Sequence, residues 1–329
     1  MPWRRRAVDP SRGSSPGGRE MAWLRLSRPF TLLPPLLGML SGAASAWGAG
    51  VVDARHDAAG LWFLLVAGSL MAVLLNAASN VWNQVCDIEL DRVNKPDRPL
   101  PRGDVTVAGA RRFAVALYAV SVALAFSVMP SDFPEVGIIV LFTALLTWVY
   151  SGPPLRLRRI WWLAPLVIAL PRGALLKVCG WAVLAPVAAD REPWVLGGLF
   201  FLFILGCAST KDFSDVEGDR LCGVCTLPIR FGARAAALIM APFYVLPWLL
   251  FAALPYVHVG GRALLSVDAA GATILGLVLA AHGAATAWFM VRNASRLADE
   301  RRGRFMWRNL YVLMMEAQVG VAILYLTSG

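Results

Sequence analysis

Two clusters of carboxylates in this chain have a spacing that could do chemistry. The first is Asn83-Gln-Val-Cys-Asp87-Ile-Glu-Leu-Asp91 and the second is Asp212-Phe-Ser-Asp215-Val-Glu-Gly-Asp219. Steps of three or four residues stack side chains on one helix face. Asn83, Asp87 and Asp91 therefore make one column, and Asp212 or Asp215 with Asp219 makes another. Like charges about 6 Å apart repel by on the order of 3 kcal/mol at an effective dielectric of about 20. Nothing in folding asks for that arrangement, but a hard divalent cation does. Mg²⁺ takes oxygen ligands, keeps several waters and bridges one or two carboxylates to substrate phosphates. Two such columns facing each other are expected to form a two-sided magnesium–diphosphate clamp. Asp87, Asp91, Asp215 and Asp219 are its candidate catalytic carboxylates, and Asn83 and Asp212 complete the candidate metal ligands.

Cations accompany both clusters. Lys95, Arg98 and Arg102 follow the first, Arg156, Arg158 and Arg159 follow Tyr150-Ser-Gly-Pro-Pro, and Lys211 and Arg220 bracket the second. Both side-chain types bind phosphate oxygens, which makes Lys95, Arg98, Arg156, Arg158 and Lys211 candidate diphosphate contacts. Cys222-Gly-Val-Cys225 stands alone, with no second pair or nearby histidine, and reads as two reduced thiols rather than a zinc site. His56, His258 and His282 lack partners at ligand spacing.

The elements that must position these groups are membrane helices. The chain has 329 residues, 58% of them hydrophobic and 16% charged, with a mean hydropathy of +0.60. Soluble domains average about 45–50% apolar and about 25% charged. The apolar surplus lies in runs long enough to cross a bilayer, which excludes a soluble enzyme, a disordered chain and a secreted disulfide scaffold. Nine spanning candidates fall at 30–49, 62–84, 107–129, 136–152, 160–186, 194–211, 233–257, 268–291 and 306–327, the fifth kinked at Pro171-Arg172-Gly173. Residues 1–20 are expected to be a disordered basic tail, and 21–329 a single nine-helix domain. Its fold class is all-α, a polytopic bundle with a central cavity open to the cytoplasmic side.

The +10 net charge is spread between apolar runs, unlike a nucleic-acid patch. The N-terminal segment and the even connections, taken with the span ends beside them, hold 26 of the 31 Lys and Arg, against three (Arg55, Arg191, Arg262) in the odd ones. The positive-inside rule then puts the N-terminus in the cytoplasm and the C-terminus across the membrane. A bacterial inner or plasma membrane is the default setting. Arg172 and Lys177 remain at membrane depth, where charged groups usually face a cavity. Arg172 is expected in an acceptor pocket, while Lys177 could snorkel outward. Asn76 and Glu316 suit helix–helix hydrogen bonds, His282 a packed position, and Trp161 and Trp162 interfacial anchoring.

The ordered set of motifs resembles the UbiA-type intramembrane prenyltransferases over nearly the whole chain, from Arg28-Pro29 to the last helix. Asn83, Asp87 and Asp91 match that family's first aspartate motif, and Lys211 through Asp219 (KDFSDVEGD) its second. Asn94-Lys-Pro-Asp-Arg-Pro-Leu-Pro-Arg-Gly103 looks like its loop after the first motif. Tyr150-Ser-Gly-Pro-Pro-Leu-Arg-Leu-Arg resembles its Tyr/basic motif, adding Tyr150 to the diphosphate contacts. Gln84 departs from the pattern, where Asp is usual, and a neighbour of Asn83 on a helix points about 100° away from its column. The form of the motifs is nearest the digeranylgeranylglyceryl phosphate, chlorophyll and homogentisate prenyltransferase branches.

The resemblance implies Mg²⁺-dependent transfer of a polyprenyl group from an allylic isoprenoid diphosphate to an aromatic or lipid-alcohol acceptor, with release of diphosphate. Loops 92–106 and 213–232 would close over the site. The partners implied are the polyprenyl diphosphate, the acceptor and the lipid bilayer, with no nucleic acid. A terpene cyclase on the same scaffold would carry the same motifs and need no acceptor. From other classes, a non-catalytic binding protein stays open, and a transporter would instead place its acids near the midplane of broken, repeated helices.

Overall fold

The computed structural model describes residues 16–52, 57–128, 134–221 and 223–328, so His56 and Cys222 lie outside the described residues. Helix α1 (Pro16–Ser27) precedes the first span and begins inside the stretch expected to be a tail, whose residues 1–15 are not among those described. The spans then follow in order. They are α2 (Pro29–Gly48), whose first turn is 3₁₀, and α3 (Ala58–Cys86), continued by α4 (Ile88–Asn94) and the short α5 (Pro99–Arg102). Next come α6 (Val107–Ser127), α7 (Glu135–Ser151) and α8 (Leu163–Ala182). Helix α9 (Glu192–Cys207) passes through a 3₁₀ turn into α10 (Asp212–Leu221). The chain closes with α11 (Leu227–Phe231), α12 (Ala233–Tyr256), α13 (Ala269–Arg292) and α14 (Glu300–Ser328).

Eight of these segments are long and apolar enough to cross a membrane; α7 is apolar but shorter, at 17 residues. The molecule is thus an all-helical, multi-pass membrane bundle. The helices begin where polar caps let them. Asp57 accepts a hydrogen bond from Gly60 N (2.8 Å), Thr106 from Gly109 N (3.1 Å) and Asp268 from Gly271 N (2.6 Å), each satisfying a first-turn N–H. The only strands among the described residues are a two-residue hairpin, β1 (His258–Val259) and β2 (Arg262–Ala263). It turns through Gly260 and Gly261, both at positive φ.

Lipid gives no hydrophobic push between helices, so small residues set how closely they pack. At the crossing of α2 and α8, a Cβ on Gly42 would lie 2.5 Å from Lys177 O and 2.7 Å from Gly180 Cα. The same contact buries Lys177, which is 1% exposed, donates to Ser41 Oγ (2.6 Å) and lies over the Phe200 ring. The outward-snorkelling reading of Lys177 is therefore corrected, because Gly42 and Gly180 bring two backbones together over its stem. Within α8, residues Leu170–Leu175 form a π-helical turn. Pro171 has no N–H to give the preceding turn, and the widened turn absorbs the defect without ending the helix.

Candidate active site

Helices α3 and α4 keep the first column in register, because Asp87 N bonds Asn83 O (2.9 Å) and Asp91 N bonds Asp87 O (2.8 Å). Asn83 donates through Nδ2 to Asp87 Oδ2 (2.6 Å) and Ser151 Oγ (3.2 Å), and it lines a cavity. The second column, Asp212, Asp215 and Asp219, lies on α10 and lines a pocket with Tyr150, Arg158 and Lys211.

The two columns meet. Arg158 pairs with Asp87 and lies 3.7 Å from Asp219, one guanidinium between two carboxylates of different columns. Lys95, just past α4, reaches Asp215 at 2.8 Å, and Arg98 holds both oxygens of Asp91 at 2.6 Å. Asn94 completes the junction, accepting from Gly218 N (3.2 Å) and donating to Asp215 O (3.4 Å). A side chain on Gly218 would overlap Asn94, which explains a glycine within an acidic helix. Burial pulls the Arg158 guanidinium below its ordinary range, while Asp219, Asp212 and Asp215 push it back up.

These pairings change the roles expected of some cations. Lys95 and Arg98 are engaged by Asp215 and Asp91 and do not line either pocket. Arg156 sits at positive φ and lines a third groove, with Trp82, Cys86 and Arg111, that Asp87 and Arg158 also touch. It lines neither the acidic pocket nor the central cavity. Lys211 and Tyr150 do reach the junction, and each lines both the acidic pocket and the larger central cavity.

That cavity runs between α2, α3, α7, α8, α9 and α14. Its wall includes Arg28, which the sequence reading left out of the site. Arg28 occupies a left-handed turn (φ 55°) between α1 and α2, and a ladder on α3 catches the carbonyls around it. Asn76 donates to Thr31 O (2.8 Å), Asn80 to Ser27 O (3.2 Å), and Gln84 to Leu26 O (2.7 Å). Gln84 is 1% exposed and faces away from the acidic column. The only sequence hint of this turn is Arg28 standing before a proline, a position biased away from the helical region. Burial, then the neighbouring cations Arg98 and Arg172, pull the Arg28 guanidinium down to about 9, with Asp91 opposing.

Arg172 is exposed into the same cavity from the π-turn and also lines an adjoining apolar pocket with Met39, Met71, Leu75 and Val140. Trp161, expected as an anchor, instead lines the acidic pocket and packs edge-on to Phe231 at 5.1 Å. Glu316 pairs with His282 across α13 and α14 at 2.6 Å.

Among the described residues, no three His, Cys, Asp or Glu side chains converge as a ready metal cage. The donor set nevertheless fits Mg²⁺, which needs only one or two carboxylates besides waters and phosphate. Asp219 Oδ1 is buried without a hydrogen-bond partner, an orphan hard oxygen beside Arg158. Buried polar atoms are ordinarily satisfied, so such an orphan suggests a missing partner.

Comparison with known proteins gives this geometry a lineage. A family model described as the UbiA prenyltransferase family matches residues 29–309. The chain is 32% identical to the bacteriochlorophyll synthase 33 kDa chain of Cereibacter sphaeroides, over 66% of this chain and 68% of that one. It is 30% identical to digeranylgeranylglyceryl phosphate synthase of Methanopyrus kandleri, over 80% of this chain and 89% of the relative. Its fold matches a solved UbiA homologue from Archaeoglobus fulgidus bound to GPP and Mg²⁺, with a TM-score of 0.65 at 17% identity, covering 93% of this chain and 99% of that one.

Proposed function

This chain belongs to the UbiA prenyltransferase family and is a prenyltransferase; we propose that it moves a polyprenyl group from an allylic isoprenoid diphosphate to a lipophilic or aromatic acceptor, with Mg²⁺ as its cofactor. One observation carries the reading. Two acidic columns from opposite parts of the chain join at one end of a membrane cavity whose wall bears Arg28, Arg172 and Lys211 and no acid among the described residues. The diphosphate and Mg²⁺ bound by the fulgidus homologue support it.

In this reading, Asp87, Asp91, Asp212, Asp215 and Asp219, with the carbonyl oxygen of Asn83, are the groups that would hold the metal. Bound there, Mg²⁺ supplies charge neutralisation to the departing diphosphate. Lys211, Arg158, Arg28 and the Tyr150 hydroxyl face the phosphates, and Lys95 and Arg98 orient Asp215 and Asp91 for the task. The C–O bond to diphosphate breaks, the bonding pair leaves with the oxygen, and an allylic cation remains. Water would quench it. The apolar wall of Val167, Ile168, Phe203, Leu310 and Met314 keeps water away, and the segments around Asn94 and Gly218 cover the charged end. The acceptor then supplies the electron pair of the new bond and gives up a proton. The bias of Lys and Arg supports a cytoplasmic N-terminus, with the acidic junction on that face.

The test is diphosphate release by purified protein in detergent, given Mg²⁺ and geranylgeranyl, shorter and longer diphosphates. It is run with and without aromatic and glycerol-phosphate acceptors. Release that requires an acceptor is the expected result. Release without one would make the protein a cyclase or hydrolase, and no release under any condition would defeat the reading.

A further inference from the structure

The third groove, where α3, α6 and α7 meet the loop after α7, gathers arginines that nothing in the protein answers. The side chains of Arg111, Arg156 and Arg159 make no hydrogen bond or ion pair with any described residue. Arg156 Nε is buried and still lacks a hydrogen-bond partner. The two carboxylates of the groove are already engaged, Asp87 by Arg158 and Glu89 by Arg92. The lining is therefore net positive, and its free charge is all of one sign.

Charge gives way to apolar surface with depth. Arg111 lies just over one turn inside α6, whose N-cap is Thr106. Val115, one turn further into the span on the same face, lines the groove as well and is 47% exposed. On α7, Trp148 lines the groove near the helix end, and Leu145, a turn deeper on its face, is 56% exposed. The wall between them is rigid. The Trp82 and Trp148 rings stack with centroids 3.8 Å apart, and Trp82 Nε1 donates to Trp148 O (3.1 Å). At about 730 Å³, against about 200 Å³ for the central cavity, the groove has room for a lipid headgroup.

We propose that this groove docks an anionic phospholipid of the surrounding bilayer. Its phosphate sits among Arg111, Arg156 and Arg159, whose planar forks suit paired phosphate oxygens. Its acyl chains run down α6 past Val115 and down α7 past Leu145. A soluble anion would leave the apolar flank unused, and a neutral lipid would leave the arginines unanswered. A lipid anion uses both, as basic pockets between membrane helices do. Arg158 stands between Arg156 and Arg159 in the chain, so a bound headgroup also tethers the loop that supplies the link between the two acidic columns. The proposal needs only the membrane bundle and stands apart from the prenyl-transfer reading.

The experiment titrates phosphatidylglycerol and phosphatidylcholine of identical chains into the full-length protein in a neutral detergent, and counts bound lipids by native mass spectrometry. Wild-type protein should bind its first phosphatidylglycerol roughly tenfold or more tighter than phosphatidylcholine. Arg111→Gln and Arg159→Gln should each weaken that step by roughly fivefold, the effect of one arginine beside an anionic headgroup. Arg234→Gln and Arg301→Gln remove the same charge from exposed positions elsewhere and should leave it unchanged. Both groove arginines are themselves exposed, and an unaltered unfolding midpoint in lipid-free detergent certifies that their variants are folded. A wild type indifferent to headgroup charge would overturn the proposal, as would groove variants that bind as well as the two controls. Inorganic phosphate that displaces the lipid at equal concentration would also overturn it, since the ligand would then be a soluble anion.

Discussion

Arg158 holds Asp87 and approaches Asp219, so one side chain ties together carboxylates that the chain keeps far apart. The spacing of the acids was legible in the sequence because helical periodicity is local. The partners of Lys95 and Arg98 were not, because a contact across the bundle leaves no mark on spacing. Gln84 makes the same point from the other direction. As an i+1 neighbour of Asn83 it had to leave the column, but only the structure shows it donating to Leu26 O and bracing the left-handed turn at Arg28. An Asp there has no N–H to give. Gln84→Asp, which restores the residue usual in the family, should therefore lower stability by about 1–3 kcal/mol, the cost of an unsatisfied buried group, and raise no activity. Thermal unfolding in detergent and a prenyl-transfer assay check it, and a gain in rate would show Gln84 to belong to the metal site.

At the scale of elements, the site is a joint between α4 and α10. Asn94 fits where Gly218 lacks a side chain. Gly218→Ala should push Asn94 out and cut activity by roughly tenfold through misplacement of Asp215 and Asp219. In an Asn94→Ala background, with the obstructing side chain gone, the same substitution should cost almost nothing further. Additive losses in this double-mutant cycle would disprove the joint. The helices themselves were readable from apolar runs, and their bounds fall within a few residues of the expected ones except at α9 and α10, where the acidic helix continues the span, and at α14, which starts at Glu300 rather than near 306. The kink at Pro171 was expected, but its form as a π-turn was not, since proline announces a broken hydrogen bond without saying how the next turn repairs it. Arg28 escaped notice because its turn is built by tertiary hydrogen bonds from α3.

For the whole molecule, the bundle must place two ends of the chain around one cavity without a hydrophobic push from lipid. Close contact at Gly42 and Gly180 does part of this, bringing α2 against α8 and so Arg28 and Arg172 into the wall of one cavity. Gly180→Val should force the two helices apart, since an added Cβ would already lie 2.5 Å from Met39 O. The expected result is a loss of about 2 kcal/mol or more, by analogy with overpacked cores, read as a lower midpoint of unfolding in detergent. An unchanged midpoint would show that the crossing is not tight.

The central claim is that the two acidic columns act together on a metal-bound diphosphate. It is tested most directly by prenyl transfer and Mg²⁺ titration with Asp87→Ala and Asp215→Ala beside the wild type, all three quantified for membrane insertion. The account predicts that chelation stops the wild type and that Mg²⁺ restores it. Each variant should insert normally yet lose roughly 100-fold or more of its activity at saturating Mg²⁺. An Asp215→Ala enzyme that turns over at the wild-type rate, or a wild type indifferent to chelation, would contradict it.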